Sequence, residues 1–190
     1  MSSIIELDDC KNWLEIPTAI TNFDALITMI RDSVIVEAEE YMNLKLSLVT
    51  GVVQICDGGK TFLWVDYGNI SNVTIWCDAN RMWDTDEYLV SPTTYVIDVE
   101  KGIIRLVTGE IFSVGKQIIK VLFSGGYTSS TLPKDLKLAL IKQISWGFRR
   151  RKDPGISFVQ FPDGRIEKFA KGEWLQEVED VLNRRGRIPF

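Results

Sequence analysis

The sequence predicts an α+β fold in which a small helical bundle carries an inserted antiparallel β-rich segment. Two patterns in its 190 residues predict this fold. Apolar residues recur at every third or fourth position before residue 47 and after residue 124, which is typical of amphipathic helices. Between them, short β-branched and aromatic runs alternate with turn residues. We therefore expect a helical core of residues 1–47 and 124–190, with a β-hairpin at 156–169, and a β-rich insertion at 48–123.

Two helices are predicted in the N-terminal part. Asp8 is a suitable N-cap for a short helix over residues 7–16, which Pro17 ends. A long helix over residues 21–43 follows. Its buried side is predicted by apolar residues at i+3 and i+4 spacing: Phe23, Leu26, Ile27, Ile30, Val34, Ala38 and Tyr41.

A second apolar stripe lies on roughly the opposite side of the long helix and consists of Ala25, Met29 and Val36. One apolar stripe is enough to attach a helix to its own core, so a second stripe indicates a second packing partner. Acidic residues lie between the stripes, and we expect two of them, Glu39 and Glu40, on a solvated face.

Six short strands are predicted in the insertion. They correspond to the runs 50–56, 61–67, 72–77, 88–98, 103–107 and 117–123. Turn signals such as Gly68-Asn69 separate the runs, and Gly125-Gly126 ends the segment. The turn at residues 57–61 lacks the spacing of a phosphate-binding loop and lies between strands, so it predicts a hairpin turn. We expect a small antiparallel sheet or barrel.

Helices return after the insertion. Leu132-Pro133 begins a helix that ends near residue 150, because proline favours the first helical position. Its apolar residues cover an arc of roughly 220° at ~100° per residue, which is wider than the stripe of a surface helix. We expect this helix to be central or sandwiched between subunits. Pro162-Asp163-Gly164 predicts the turn of the hairpin, and residues 173–184 predict a closing helix.

The composition excludes several classes of protein. There is no histidine, so Ser-His-Asp and Cys-His nucleophiles and HExxH zinc sites are impossible. The three cysteines, Cys10, Cys56 and Cys77, are too few for a zinc ribbon, and their odd number fits free thiols in a reducing cytoplasm. No apolar run approaches the ~18 residues that span a bilayer. We therefore expect an unexported protein with no membrane segment and no cofactor.

One acidic cluster contains residue types that bind metals. Asp84, Asp86 and Glu87 could hold Mg²⁺ or Ca²⁺ in a metal-dependent hydrolase, but no calcium-loop spacing follows them. The sequence favours a solvated loop after Trp83. We therefore predict no catalytic residue and no metal ligand, and the chain is not expected to be an enzyme.

Charge is unevenly distributed along the chain. Residues 1–45 carry nine acids and three bases, whereas residues 134–152 carry seven bases and one acid. Such blocks attract each other, either within one chain or between copies of it. The basic run Arg149-Arg150-Arg151-Lys152 has three interpretations: a complement to the helix dipole, a contact with a nucleic-acid backbone, or a contact with an acidic protein surface.

Five segments combine into one recognisable plan. They are residues 13–17 (WLEIP), 23–27 (FDALI), 38–42 (AEEYM), 121–127 (VLFSGGY) and 132–140 (LPKDLKLAL). In this order and spacing they resemble the head–tail connector (adaptor, or head-completion) proteins of long-tailed bacteriophages and prophages. In that family a long helix, a strand ending in Gly-Tyr and a helix started by Leu-Pro form the shared core. The β-rich segment departs from this plan, although larger family members also carry a β insertion.

The resemblance implies a structural virion protein without chemistry. Such connectors assemble as a homo-oligomeric ring, commonly of about twelve copies, under the portal protein. They extend the DNA channel, which DNA passes through without sequence-specific binding, and they provide the docking platform for the stopper or tail-completion protein. The implied location is the virion neck, after assembly in the host cytoplasm. The alternative function is a DNA-binding packaging accessory protein that uses the basic run at residues 149–152.

Two sets of contact residues follow from this comparison. For the interface between subunits we predict Ala25, Met29, Val36, Glu39 and Glu40 on the long helix, and Arg149, Arg150 and Arg151, which would meet the acidic N-terminal helices of the next copy. For portal docking we predict Arg185, Arg187, Ile188, Pro189 and Phe190. Because glycine and proline prevent the last helix from continuing, residues 185–190 are expected to project as an extended arm.

Overall fold

The computed structural model describes residues 4–83, 86–107, 109–152, 158–160, 166–168 and 174–187. The predicted α+β fold is confirmed, and the chain forms two compact units. The β unit comprises Met1–Ile4, Asn43–Thr131 and Arg185–Phe190, and the helical unit comprises Ile5–Met42 and Leu132–Arg184. The division into domains at residues 47 and 124 stays a prediction, because compact units need not fold independently.

The described residues contain four α-helices: α1 (Leu7–Trp13), α2 (Asp24–Met42), α3 (Lys134–Arg149) and α4 (Gln176–Arg185). All four were predicted, with ends that shift by three residues or fewer. Helix α2 begins at Asp24 because the chain before it forms turns. There, the backbone N–H of Ile20 donates to the carbonyl of Pro17, and that of Asp24 donates to the carbonyl of Thr21.

Helix α3 lies at the centre of the helical unit, where it packs against both α1 and α2. Its buried residues are Leu136, Ala139, Leu140, Ile141, Gln143, Ile144, Ser145 and Phe148. Phe148 meets Phe23 edge to face, with ring centroids 5.6 Å apart. Gly147 allows α2 to approach, since a Cβ at this position would lie 3.2 Å from Cγ2 of Ile30. The wide apolar arc of the sequence is therefore used largely within one chain.

The segment between α1 and α2 is held by the buried ammonium group of Lys11. Its Nζ donates to the carbonyl of Thr18 at 2.9 Å, to the carbonyl of Ile20 at 2.7 Å and to Oδ1 of Asp24 at 2.8 Å. A lysine has three protons to donate, and each has an acceptor here. Lys11 is only 1% exposed, and its buried charge is tolerated because it is fully paired.

Six strands of the β unit form two antiparallel sheets. The first sheet has the order β1 (Val49–Cys56), β6 (Ile119–Gly125) and β3 (Ser71–Cys77), and the second has the order β2 (Phe62–Trp64), β5 (Ile103–Leu106) and β4 (Tyr95–Asp98). Both sheets are open in the described residues, so the predicted alternative of a barrel is not realised there. In the helical unit, β7 (Phe158–Gln160) pairs with β8 (Ile166–Lys168), and the predicted turn at 162–164 lies outside the described residues.

The predicted strand over residues 88–98 is wrong in its first half. Short 3-10 helices occupy Asp86–Tyr88 and Pro92–Thr94, and only Tyr95–Asp98 is a strand. Pro92 has no N–H for a β-ladder, and both the N–H and the hydroxyl of Thr94 turn back to the carbonyl of Ser91. Within this run only an isolated antiparallel bridge forms, from Leu89 to Trp76 of β3, and the turn at Pro92 prevents the pairing from continuing into β4.

The core of the β unit lies on the inner faces of its strands. Its buried residues are Leu63, Val65, Ile70, Ile75, Tyr95, Ile104, Phe112, Ile118, Ile119, Val121 and Phe123. Strand β6 shows the alternation most clearly, because Ile119, Val121 and Phe123 are buried while Lys120 and Leu122 are half-buried on the other face. Side chains of successive residues leave a strand on opposite faces, so this pattern fixes which face is outside.

We predict that Lys11→Met destabilises the chain by roughly 3 kcal/mol, because the carbonyls of Thr18 and Ile20 and the carboxylate of Asp24 lose their shared donor. Methionine keeps the apolar stem of the side chain. Urea denaturation measures the free energy of unfolding. The matched control is Lys134→Met, at an exposed lysine of α3, which should change it by less than about 0.5 kcal/mol. Equal losses in the two variants would contradict a special role for the buried ammonium group.

Candidate functional site

The exposed side of α2 carries the predicted second stripe. Met29 is 63% exposed, Val36 is 50% exposed, and Ala25 is exposed as well. The opposite side of the helix is buried through residues such as Ile27 and Ala38. We refer to Ala25, Met29 and Val36, with the exposed acids Asp32, Glu37 and Glu40 beside them, as the α2 face. The sequence correctly separated the two sides of this helix, while the contact with another subunit stays a prediction.

Three residues of α2 and its start differ from the expected pattern. Glu39, expected on a solvated face, is 9% exposed, since it lies one turn from the buried residues Ile35 and Met42. Phe23 and Tyr41, expected in the buried row, are at the margin and partly exposed. The Tyr41 hydroxyl lies 3.0 Å from Oε1 of Glu179, and desolvation followed by this hydrogen bond raises the pKa of Tyr41. An amphipathic pattern predicts which side of a helix is buried. It does not predict how far around the helix the burial extends.

Two arginines of the basic run at residues 149–152 contact aromatic rings of their own helical unit. The Arg150 guanidinium lies 4.7 Å from the centre of the Trp146 ring, and that of Arg151 lies 3.9 Å from the centre of the Phe148 ring. Arg151 also donates to the carbonyl of Phe148 at 2.6 Å. Arg149 is exposed. Cation–π contacts of this kind hold the two guanidinium groups in place, so they are less available to a partner than the sequence indicated.

Opposite charges meet within the helical unit as well. Nζ of Lys137 lies 2.7 Å from Oδ2 of Asp9, which joins the basic segment of α3 to the acidic N-terminal helix. Nζ of Lys142 lies 2.5 Å from Oε2 of Glu177. Of the two open interpretations of the charge blocks, attraction within one chain therefore accounts for these pairs.

The C-terminal segment does not project from residue 185 as expected. Arg185 is the last residue of α4, and Arg187 is buried in the β unit. Nε of Arg187 donates to the carbonyl of Lys101 at 2.8 Å, and Nη2 donates to the carbonyl of Val65. Burial lowers the pKa of this guanidinium, against the opposing effect of Asp66. The arm predicted from the glycine and proline positions is therefore wrong for Arg185 and Arg187, and Ile188, Pro189 and Phe190 lie outside the described residues.

The turn at Gly102 makes room for this buried arginine. Gly102 has a φ of +59°, which is unfavourable for any residue with a side chain. A Cβ there would lie 2.2 Å from the carbonyl oxygen of Tyr67 and 3.0 Å from Nη2 of Arg187. Nearby, Nη1 of Arg185 lies 3.9 Å from a carboxylate oxygen of Glu100. We refer to the contacts of Arg185 and Arg187 with the β unit as the C-terminal anchor. This anchor depends on the turn at Gly102 as much as on the two arginines.

A polar groove of about 300 Å³ lies between β1 and β2. Its aromatic wall is Phe62 and Trp64, whose rings stack at 5.2 Å. The Gln54 side chain crosses it, accepting from the N–H of Asp66 at 2.9 Å and donating to the carbonyl of Trp64 at 3.2 Å. The Gln54 amide therefore takes the place of a neighbouring strand's peptide group. The groove is thus a seam between two strands that the Gln54 side chain links by hydrogen bonds.

The predicted acidic cluster is not assembled in the described residues. Asp84 and the side chain of Asp86 lie outside them, and Glu87 is exposed. No group of three or more aspartate, glutamate or cysteine side chains in the described part of the chain is arranged to hold a metal ion. The carboxylate with a clear role in this region is that of Asp78, which sequence analysis missed.

Asp78 organises the turn after β3. Its side chain accepts from the backbone N–H groups of Asn80 at 2.8 Å, Met82 at 2.7 Å and Trp83 at 3.4 Å. Desolvation opposes ionisation of this carboxyl, but the three hydrogen bonds outweigh it and lower the pKa of Asp78. The interaction is structural, because all three donors belong to the same turn.

Two of the cysteines, Cys10 and Cys56, are not activated for chemistry. Desolvation by burial raises the pKa of Cys10 to about 11 and that of Cys56 to about 11, which disfavours the nucleophilic thiolate. Cys56 and Cys77 both pair with Ile119 across β6, so a whole strand separates them and they are too far apart for a disulfide. None of the described helices has the length and apolar character to cross a membrane.

A second exposed apolar surface, which sequence analysis missed, lies on the outer face of the sheet β1–β6–β3. Val53 is 53% exposed and Ile55 is 40% exposed. They lie beside Leu122 and Lys120 of β6, respectively, and Trp76 of β3 completes the second row. Side chains of β1 alternate between two faces of the sheet, and this alternation is visible in the sequence. It does not tell which of the two faces is covered by the rest of the chain.

Chains of known structure share this fold. A chain from the neck of an empty GTA particle, computed with C6 symmetry, matches with a TM-score of 0.58 and 14% identity over 100% of this chain and 95% of that chain. A chain from the virion of a native gene transfer agent (GTA) particle matches with a TM-score of 0.54 and 16% identity over 98% and 91%. A third chain, from the neck of a native GTA particle computed with C12 symmetry, gives 0.53 and 15% over 88% and 85%. No protein-family model and no curated protein matches the sequence.

We predict that Arg187→Ala frees the end of α4, because the carbonyls of Lys101 and Val65 lose their charged donor. Limited trypsin digestion followed by mass spectrometry measures cleavage after Arg184 and Arg185. We expect this cleavage to be at least about tenfold faster, as local opening becomes more frequent. Gly102→Ala should have the same effect through displacement of the guanidinium, whereas Arg149→Ala, at an exposed site, should not. An unchanged rate in both test variants would contradict the anchor.

Proposed function

We propose that this chain is a structural neck protein of a phage-like particle, acting as a head–tail adaptor that forms a ring under the portal. The observation that carries the proposal is a likeness along the whole chain. It spans 100% of this chain and 95% of a chain from a GTA particle neck, with a TM-score of 0.58. A likeness of this extent includes both the helical unit and the β unit. The resemblance of the helical segments to connector proteins supports the same role independently of the fold.

In the proposed ring, each copy contributes surfaces rather than chemistry. The neck structures that share this fold were computed with C6 and C12 symmetry, which supports a ring of twelve copies. The exposed α2 face supplies apolar residues for a contact between copies, with Glu40 at its margin. Glu39 is buried, so it would support the interface from inside the helical unit rather than contact the next copy directly. The ring would extend the DNA channel and offer a platform to the stopper or tail-completion protein.

The basic run at residues 149–152 contributes less to partner binding than its sequence indicates. Arg150 and Arg151 lie against aromatic rings of their own unit, which leaves Arg149 as the exposed arginine of the run. Among the described side chains of the run, one exposed arginine is a small footprint for a protein that binds the DNA backbone, where several phosphate contacts supply the affinity. A DNA-binding packaging accessory is thus the weaker proposal. DNA would pass the ring without sequence-specific binding.

For portal docking, the C-terminal residues divide into two groups. Arg185 and Arg187 hold the end of the chain on the β unit. Ile188, Pro189 and Phe190 follow this anchor and supply the apolar side chains for a pocket on the portal. We propose that the anchor fixes the origin of the docking segment, which reduces the entropy lost on binding. The site of action would be the virion neck, after assembly in the host cytoplasm.

We predict that Met29→Asp prevents ring assembly, because it places a charge in the centre of the apolar α2 face. Met29 is 63% exposed in the single chain, so the melting temperature should stay within a few degrees. Native mass spectrometry over a range of concentrations measures assembly. Leu138→Asp, at an exposed residue of α3, is the control and should still assemble. A large loss of thermal stability in Met29→Asp would instead show that this stripe belongs to the core of one chain.

We predict that removing residues 188–190 abolishes portal binding while folding and self-association remain. The truncated chain keeps Arg185 and Arg187, so the anchor on the β unit is unaffected. A pull-down with the portal protein measures binding. A full-length chain with Ile188→Ser and Phe190→Ser controls for chain length and should also fail to bind. Wild-type affinity in the truncated chain would place the docking surface elsewhere, with α3 as the next candidate.

A further inference from the structure

The outer face of the β1–β6–β3 sheet carries two ordered rows of side chains. Val53, Leu122 and Thr74 are directly opposite one another in the register, and so are Ile55, Lys120 and Trp76. Residues at paired positions project from the same face of a sheet, so all six lie on one surface. We call this surface the sheet face.

The sheet face is apolar in its first strand and carries a single positive charge. Val53 and Ile55 are 53% and 40% exposed, and the other four residues are half-buried. Nζ of Lys120 lies 5.0 Å from the centre of the Trp76 ring, which fixes the cation within the surface. Strand β1 is also an edge strand, since the sheet order places it beside β6 alone. Exposed apolar side chains on an edge strand make an isolated chain prone to aggregation. Such a surface is suited to binding a partner that covers it.

The partner follows from the geometry of a ring, and this step rests on the proposed function. Copies related by rotation about a ring axis meet through two different surfaces, one on each side of every copy. The α2 face is one such surface. Its expected counterpart, the basic run at residues 149–152, has two of its arginines, Arg150 and Arg151, stacked on Trp146 and Phe148. An exposed surface with an apolar centre is therefore the better match for the α2 face.

We propose that the sheet face of one copy binds the α2 face of the next copy. Both surfaces have an exposed apolar centre, Val53 and Ile55 on one and Met29 and Val36 on the other. Their charges are complementary, because the sheet face carries Lys120 and the α2 face carries the acids Glu37 and Glu40 beside Asp32, which is paired with Arg31. Apolar centres with complementary charges give both affinity and a defined register.

The test mixes two variants, each of which lacks one of the two surfaces. Met29→Asp retains the sheet face, and Val53→Asp retains the α2 face. Neither variant forms rings alone, and each should need at least about a tenfold higher concentration than the wild type to associate. When the two are mixed, one intact contact remains between them, so native mass spectrometry should show a one-to-one heterodimer that does not grow. Distinct masses of the two variants identify the heterodimer.

Val96→Asp is the matched control for Val53→Asp. Val96 is 56% exposed, lies on an edge strand of the other sheet and has the same side chain. This variant should form rings as the wild type does. A charge reversal provides a second, milder variant: Lys120→Glu should weaken assembly, and Lys120→Arg should preserve it. Equal melting temperatures establish that the variants remain folded.

The outcomes separate this proposal from the proposed function. Wild-type rings together with normal rings of Val53→Asp and Lys120→Glu would overturn the sheet-face contact and leave the adaptor ring intact. Such a result would assign the sheet face to a different neck protein or to no partner. Homodimers of either single variant would also overturn the proposal, because they would show that the remaining surface binds the same surface of a second copy. A wild-type chain that stays monomeric at every concentration, alone and with portal, would overturn the ring itself.

Discussion

The pairing of β6 with β1 and β3 is the interaction on which the β unit depends. Both partners are distant from β6 in the sequence, yet each pairs with it antiparallel. A slip of one residue in either pairing would turn the buried side chains of that strand to the opposite face. The register that buries Ile119, Val121 and Phe123 also leaves Lys120 and Leu122 on the outer face. The core and the composition of the outer surface are therefore consequences of the same register.

Many of the charged side chains stabilise the chain itself rather than a partner. Lys11 is buried and bonded to three oxygen atoms, and Arg187 is buried against two carbonyl groups. Lys137 reaches Asp9 within the helical unit. A charge that is removed from water must be paired, so these contacts give directional links between segments that apolar packing alone would leave loosely defined.

A neck protein of the proposed kind needs stable faces more than reactive groups. Burial raises the pKa of the Cys10 and Cys56 thiols, which disfavours their reactive form. The side chains of Gln54 and Asp78 bond to backbone groups and so hold the chain in place. The α2 face and the sheet face, in contrast, present apolar side chains on regular elements, where a helix or a strand fixes their spacing. Regular elements therefore fix the spacing of the side chains on the two proposed contact surfaces.

The sequence by itself determined the α+β class, the four helices, most of the strands and the apolar stripe on the outside of α2, because these follow from local spacing, from prolines and from turn residues. Only the tertiary structure decided that Glu39 is buried, that Arg187 turns back onto the β unit and that Val53 and Ile55 are exposed. It also decided that residues 88–94 do not continue the strand of Tyr95–Asp98. The physical reason is that spacing along a chain sets which side of an element is apolar. Whether that side is covered depends on contacts between residues far apart in sequence, which no local pattern encodes.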